Sequence, residues 1–305
     1  LDWSAIPRAE MGEYRASGLP RWLTIPAFPT AVTEFCQKAE QPDVTAAELG
    51  RIIERDNGLT FELLRQVNSS AYGLRQKAST AQRAISVLGF HRSKLILLNA
   101  AAHLALKSTG LAGFDQAAFS TANIQRGLFA QAVAKSLGAD EDVAFTGGML
   151  CDCLLPALAA NQAEFYQRLR QNASRSENSA PYYERQQFEF CHASAAAQIC
   201  LGWKFPDDLI CTILLHHAPL QKLVELGLNG TAAVAVRISA YLPDWFGQEP
   251  GGLDSLLQVA KHFPRFDLER AASEVDEATA SMVGQWDPGC GISALLQQQT
   301  AAAAV

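Results

Sequence analysis

The sequence predicts an all-α protein. Three observations carry this expectation. Apolar residues recur at helical spacing along most of the chain, the segments so marked begin at capping residues and end at glycines, and no clear run alternates apolar with polar residues as a half-buried strand does. Of the 305 residues, 49% are hydrophobic and 18% charged, a balance that fills one large core or two smaller ones.

Residues 1–18 read as a lead-in or linker. In TAAELGRIIERD, Thr45 stands three residues before Glu48, the spacing of a capping box, and Leu49, Ile52 and Ile53 share a face. Thr60 is expected to open the next helix, which carries Leu63, Leu64 and Val67 on one side. Asn68 to Gly73 closes it, with Asn and Gly supplying left-handed backbone. Ser79 and Gln82 form a second capping-box pair before AISVLGF, which stops at Gly89. From Arg92, RSKLILLNAAAHLALKS is a long apolar helix, completing a helical subdomain over 19–110.

The stretch STGLAG breaks the periodicity, and a second helical subdomain is expected over 111–290. IQRGLFAQAVAKSLG ends at Gly138, and Asp140, Glu141 and Asp142 then suit a helix N-terminus. The helix that follows, VAFTGGMLCDCLLPALAA, is expected to kink or end at Pro156. RQNASRSENSAP reads as an exposed loop. Beyond it lie two helices, CHASAAAQICLGW and DDLICTILLHH, and then TAAVAVRISAYL, of which VAVRISAYL alone is also compatible with a strand. Residues 291–305 are a tail, whose terminal QQQTAAAAV reads either as a frayed helix or as disorder.

A net charge of −6 and a pI near 5.6 argue against a nucleic-acid partner, because phosphate neutralisation needs a basic stripe. The densest basic stretch, Arg75 to Arg83, reads as a solvated loop and helix start. Seven cysteines, mostly in apolar helical contexts, form no disulfide pattern and fit a reducing cytosol. No signal sequence opens the chain, and no apolar run is expected to span a bilayer, so no membrane association is expected. The chain begins at Leu1 rather than Met, as a piece of a longer protein would.

Asp152 lies among apolar neighbours, and a buried carboxylate needs a partner or a metal. His192, His216 and His217 lie downstream, and His with Asp is a ligand set for a divalent ion that activates water. The competing reading is that each histidine caps a helix or hydrogen-bonds in a crevice. Adjacent helical residues point about 100° apart, so His216 and His217 face one point only if their helix ends there, as Pro219 suggests. Cys151 and Cys153 are too closely spaced for a zinc knuckle and read as packing residues. Phosphate-loop, dinucleotide-loop and nucleophile-elbow patterns are absent from the sequence.

Several stretches resemble the HDOD domain, the "HD-related output domain" of bacterial signalling. They are LPRWLTIPAFPTAV, ELGRIIERDNGLTFELLRQVNSSAYG and AISVLGFHRSKLILL, then AFTGGMLCD, the two histidine-bearing helices and VAVRISAYL, spanning Leu19 to Leu242. The matching signature residues include Asp56, Asn68, Ser69, Tyr72 and Gly73, with Asn57 where the family usually has proline. The resemblance implies an N-terminal helical bundle and a part related to HD phosphohydrolases. It also implies a regulatory module without demonstrated catalysis, often joined to a receiver or another signalling domain.

An active HD enzyme wants a histidine in the helix around Ala122 to Leu137, a His-Asp pair, and a final Asp within VAVRISAYL. Here the helix has no histidine, the pair is Cys151–Asp152, and Ser239 or Ala240 stands at the final position. The expectation is therefore a non-catalytic signalling module in the cytoplasm that needs no cofactor and binds a signalling protein, an upstream receiver domain being one candidate. The alternative is a divergent metal-dependent phosphohydrolase acting on a nucleotide or cyclic dinucleotide. Were a vestigial divalent metal held, its ligand candidates are Asp152, His192, His216, His217 and Cys151. A third reading keeps the old pocket as a ligand sensor without turnover.

Overall fold

A computed structural model describes residues 1–11, 19–20, 22–23, 27–68, 74, 76–105, 114–173, 176–283 and 286–303. Among these residues it is helical with no strand. Two compact units form: Thr24–Lys107, and Leu1–Leu23 together with Ser108–Val305.

The unit of Leu1–Leu23 and Ser108–Val305 opens with α1 (Ala5–Met11). The span 1–18, expected as a lead-in, thus contributes a helix whose Ile6 is buried against Cys211, Leu215 and Leu223. Unit Thr24–Lys107 holds α2 (Thr30–Ala39), α3 (Ala46–Ile53), α4 (Asn57–Val67), α5 (Ala81–Leu88) and α6 (Phe90–Ala105). Its core is the stripe set by helical spacing: Phe35, Leu49, Ile53, Leu59, Leu63, Ile85 and Leu98 are essentially solvent-free.

The capping box at Thr45 and Glu48 forms as expected, with both reciprocal bonds present. Two other starts shift. α4 begins at Asn57, not Thr60, because the Asp56 carboxylate accepts the Leu59 N–H at 3.1 Å. α5 is capped by Thr80, not Ser79, its hydroxyl accepting the Arg83 N–H at 3.2 Å. Asn68 ends α4 at φ −88°, not in the left-handed region. Its amide instead clamps Ala78, accepting that N–H at 2.7 Å and donating to that carbonyl at 2.8 Å. Ser69, Tyr72 and Gly73 lie outside the described residues.

In the larger unit α7 (Gln116–Leu137) ends at Gly138, whose φ of +69° is the left-handed stop the sequence called for. α8 (Glu141–Leu150) starts on Asp140, whose carboxylate takes two backbone N–H groups. α8 stops before Pro156 rather than at it. Cys151 to Leu154 form a turn, and α9 (Leu155–Asn161) carries Pro156 in its first turn, where a missing N–H costs nothing. Glu141–Asn161 taken together has the length and apolarity of a membrane span, which the sequence reading did not expect, but 78% of its apolar window is buried in this core.

The remaining helices are α10 (Ala163–Asn172), α11 (Ala180–Phe188), α12 (His192–Gly202), α13 (Asp207–Leu215), α14 (Leu220–Glu225), α15 (Ala232–Ser239), α16 (Gly252–His262), α17 (Leu268–Met282) and α18 (Ile292–Ala303). α15 removes the strand alternative for VAVRISAYL. Within the tail 291–305, α18 is helical, with Ile292 and Leu296 buried. α8 sits at the centre of this unit, packed by α7, α13 and α15.

Candidate functional site

Two glycines in GGMLCDC explain how α8 reaches the middle of the unit. A Cβ on Gly148 would lie 2.9 Å from the Arg126 carbonyl oxygen and the Gly127 Cα of α7. A Cβ on Gly147 would collide with the Thr212 hydroxyl of α13. With hydrogen in both places, α8 is pinched between the α7 backbone and the Thr212 side chain of α13. That closeness delivers Arg126, Asp152 and His216 to one place.

Asp152, in the turn after α8, is 1% exposed, and His192 and His216 are fully buried. One ligand atom from each of Asp152, His192, His216 and His217 lies within 4.8 Å of the other three. Asp152 Oδ1 is 3.5 Å from His192 Nε2 and 3.3 Å from His216 Nε2, and the two Nε2 atoms are 3.2 Å apart. Both members of the His-His pair join the cluster because α13 ends at Leu215, as the adjacency argument required. Cys151 does not join: its thiol lies 3.4 Å from the Gly148 carbonyl oxygen and 3.8 Å from Arg126.

Around this cluster stand groups that sequence reasoning missed. The Arg126 guanidinium, 2% exposed on α7, pairs with Asp152 Oδ2 and lies 3.6 Å from Asp244 Oδ2. Gln248 donates its amide to the same Asp152 oxygen at 2.8 Å. The Glu184 carboxylate takes His192 twice, from Nδ1 at 2.7 Å and from the backbone N–H at 2.8 Å, and also accepts the Tyr166 hydroxyl at 2.8 Å. His217 faces Glu249 at 2.6 Å and Gln248 at 3.1 Å. Arg237 reaches Glu249 at 3.1 Å and the His216 carbonyl at 3.3 Å. Arg126 had a readable signal, a charge on the α7 face that also carries Asn123, Ala130 and Val133. Glu184, Gln248 and Glu249 had none.

The electrostatics follow from burial and pairing. Burial alone would push His192 down and Glu184 up, but their two hydrogen bonds and mutual attraction outweigh it, so His192 is raised and Glu184 lowered. His192 Nδ1 faces the Glu184 carboxylate, and its Nε2 faces His216 Nε2. Burial, then the charge on His192, holds His216 well below the usual histidine range. Its Nδ1 donates to the Ile213 carbonyl at 2.7 Å, leaving Nε2 as an acceptor. Burial first, then its histidine neighbours, lowers His217 in the same way, and burial raises Glu249 despite Arg237.

The HD relationship implies a divalent metal, and the donors test it. A tetrahedral ion with bonds of about 2.0–2.1 Å separates its ligands by roughly 3.4 Å, close to the 3.2–3.5 Å seen among Asp152, His192 and His216. The charges suit it less well. Both nitrogens of His217 are engaged, and the Asp152 charge is matched by Arg126. A hydrolytic metal also needs an open position for water, whereas these side chains are sealed from solvent. The spacing suits a single ion, while the Arg126 charge and the closed surroundings count against one.

A family model for the HDOD domain matches residues 25–219. An uncharacterised protein of Treponema pallidum (strain Nichols) is 23% identical over 197 residues, covering 63% of this chain and 37% of that protein. The chain thus spans little more than a third of that relative. A Shewanella amazonensis protein provisionally named a phosphohydrolase superposes with a TM-score of 0.64 at 20% identity, covering 85% of this chain and 93% of that one. An HDOD domain protein of unknown function from Geobacter sulfurreducens superposes at 0.59 with 17% identity, covering 98% and 94%. At such identities the likeness speaks for the fold. The family model covers more than half of the chain, from the second helix to the end of the histidine-bearing pair, and the chain belongs to the HDOD domain family.

Proposed function

We propose that the chain is a non-catalytic signalling module that acts by binding another signalling protein, an upstream receiver domain being the first candidate. One observation carries this reading: the Arg126 guanidinium is planted on Asp152 inside a closed, proton-filled network. A carboxylate neutralised by a fixed cation and shut away from solvent activates no water. All seven cysteines being free supports a reducing cytosol as the setting. The test pairs two measurements. Purified protein given magnesium, manganese or zinc should release no phosphate from a panel of nucleotides and cyclic dinucleotides. Crosslinking in its native cell should yield a signalling partner. Phosphate release that stops on His216→Ala sinks the proposal.

The second reading, a divergent metal phosphohydrolase, draws on the 3.2–3.5 Å convergence of Asp152 Oδ1, His192 Nε2 and His216 Nε2. It requires about one tightly held transition metal per chain, which elemental analysis of protein purified without chelator decides.

A further inference from the structure

We propose that Arg126 is the resident cation of this site, a built-in substitute for a metal ion, and that removing its charge opens Asp152, His192 and His216 to a transition metal. The inference rests on the non-catalytic reading only in taking the native protein to be metal-free.

Arg126 has little choice of position. Its own carbonyl and the adjacent Gly127 form the contact surface for Gly148, so the α7 backbone is pressed against α8 at this residue. The side chain then runs into the interior beside Asp152, on the very helix where an HD enzyme would supply its first histidine. The guanidinium spreads over two carboxylates, Asp152 and Asp244, and reaches the Leu242 carbonyl at 3.5 Å.

Two buried atoms show that charge, rather than complete hydrogen bonding, shapes this arrangement. Arg126 Nε has no partner, and Asp152 Oδ1 accepts no hydrogen bond. Buried polar groups are normally satisfied. Oδ1 is also the oxygen that faces the two imidazole Nε2 atoms, at separations suited to one small ion. His192 and His216 are already braced from behind by Glu184 and the Ile213 carbonyl, the supports that metal-binding histidines use. What the site lacks is room in its charge balance. A divalent ion would sit within a few ångströms of a fixed guanidinium, in surroundings that screen poorly.

The experiment uses the whole chain, stripped with chelator and dialysed against zinc, with bound metal read by elemental analysis and by a thermal-melt shift. Arg126→Ala should bind about one zinc per chain, at least ~100-fold more tightly than the native protein, and should lose it when combined with His216→Ala. Arg126→Lys, which keeps the charge, should stay metal-free. Should Arg126→Ala fail to fold, Arg126→Gln keeps a donor to Asp152 without the charge; folding that returns only on adding zinc supports the proposal. It is overturned if the native protein already holds one zinc per chain, or if neither neutral variant takes up zinc. Phosphate release is scored separately: metal binding by the native protein without turnover defeats this inference and leaves the signalling reading standing.

Discussion

His192 and Glu184 illustrate how one buried contact sets the pH response of a whole unit. The folded protein raises His192 above its ordinary value near 6.5, so its stabilising share is complete below that pH and is lost as pH rises through the folded value. His216 and His217 are held down, so the unfolded chain takes up protons that the folded one refuses, and stability falls as pH drops below about 6.5. Glu184 adds a later loss, setting in below its ordinary value near 4.5, because its folded value is lowered. Urea titrations from pH 5 to 9 should therefore place maximum stability near pH 6.5, falling on both sides. Glu184→Gln removes the partner that raises His192, and the fall just above pH 6.5 should shrink, leaving the fall near pH 9 that the buried thiols of Cys151, Cys153 and Cys200 contribute. It should also cost ~3–5 kcal/mol at neutral pH, the usual penalty for stranding one member of a buried pair. An unchanged fall between about pH 6.5 and 8 in that variant would show that His192 is raised by something other than Glu184.

At the scale of elements, the decisive contacts are those in which nothing is present. Gly148 lets α8 touch the α7 backbone, and neither side can yield without shifting a helix axis. Gly148→Ala should therefore destabilise by ~1–3 kcal/mol, read as a lower urea midpoint with an unchanged slope. It should also loosen Arg126 from Asp152, so that the pH profile flattens as well. A change confined to the midpoint would mean that α7 and α8 move together. The sequence made helix existence and type legible, because apolar spacing reports which face is buried. It reported starts less well, since neighbouring polar residues compete for the cap: Asp56 displaced Thr60 and Thr80 displaced Ser79. Gly147 and Gly148 stood in plain view, but a residue without a side chain leaves no mark on hydropathy. The turn holding Asp152 was hidden for a related reason. Pro156 was read as breaking a helix when it starts one.

At the scale of the whole molecule, the family was legible from local signatures while the site was legible only in part. Asp152 and the three histidines announce themselves by type and order. Their partners Arg126, Glu184, Gln248 and Glu249 come from α7, α11 and the loop before α16. No local pattern ties Gln248 to a carboxylate 96 residues earlier. The C-terminus repeats the lesson. Ahead of QQQTAAAAV, which the sequence leaves open between frayed helix and disorder, the Asp276 carboxylate of α17 caps α18, taking the Ile292 N–H at 2.7 Å and the Ser293 N–H at 3.0 Å. Ile292 is 1% exposed and Leu296 7%, and burying two such side chains stabilises by roughly 3–5 kcal/mol in all. Ending the chain at Cys290 should remove most of that and leave an apolar scar beneath α18. Asp276→Ala, which only uncaps the helix, should cost ~1 kcal/mol. Paired denaturation curves separate the two effects. If the truncated chain proves as stable as the full one, α18 is a passenger and the unit is complete without it. If it loses several kcal/mol while Asp276→Ala loses about one, the last helix belongs to the core that holds α8 and Asp152 in place.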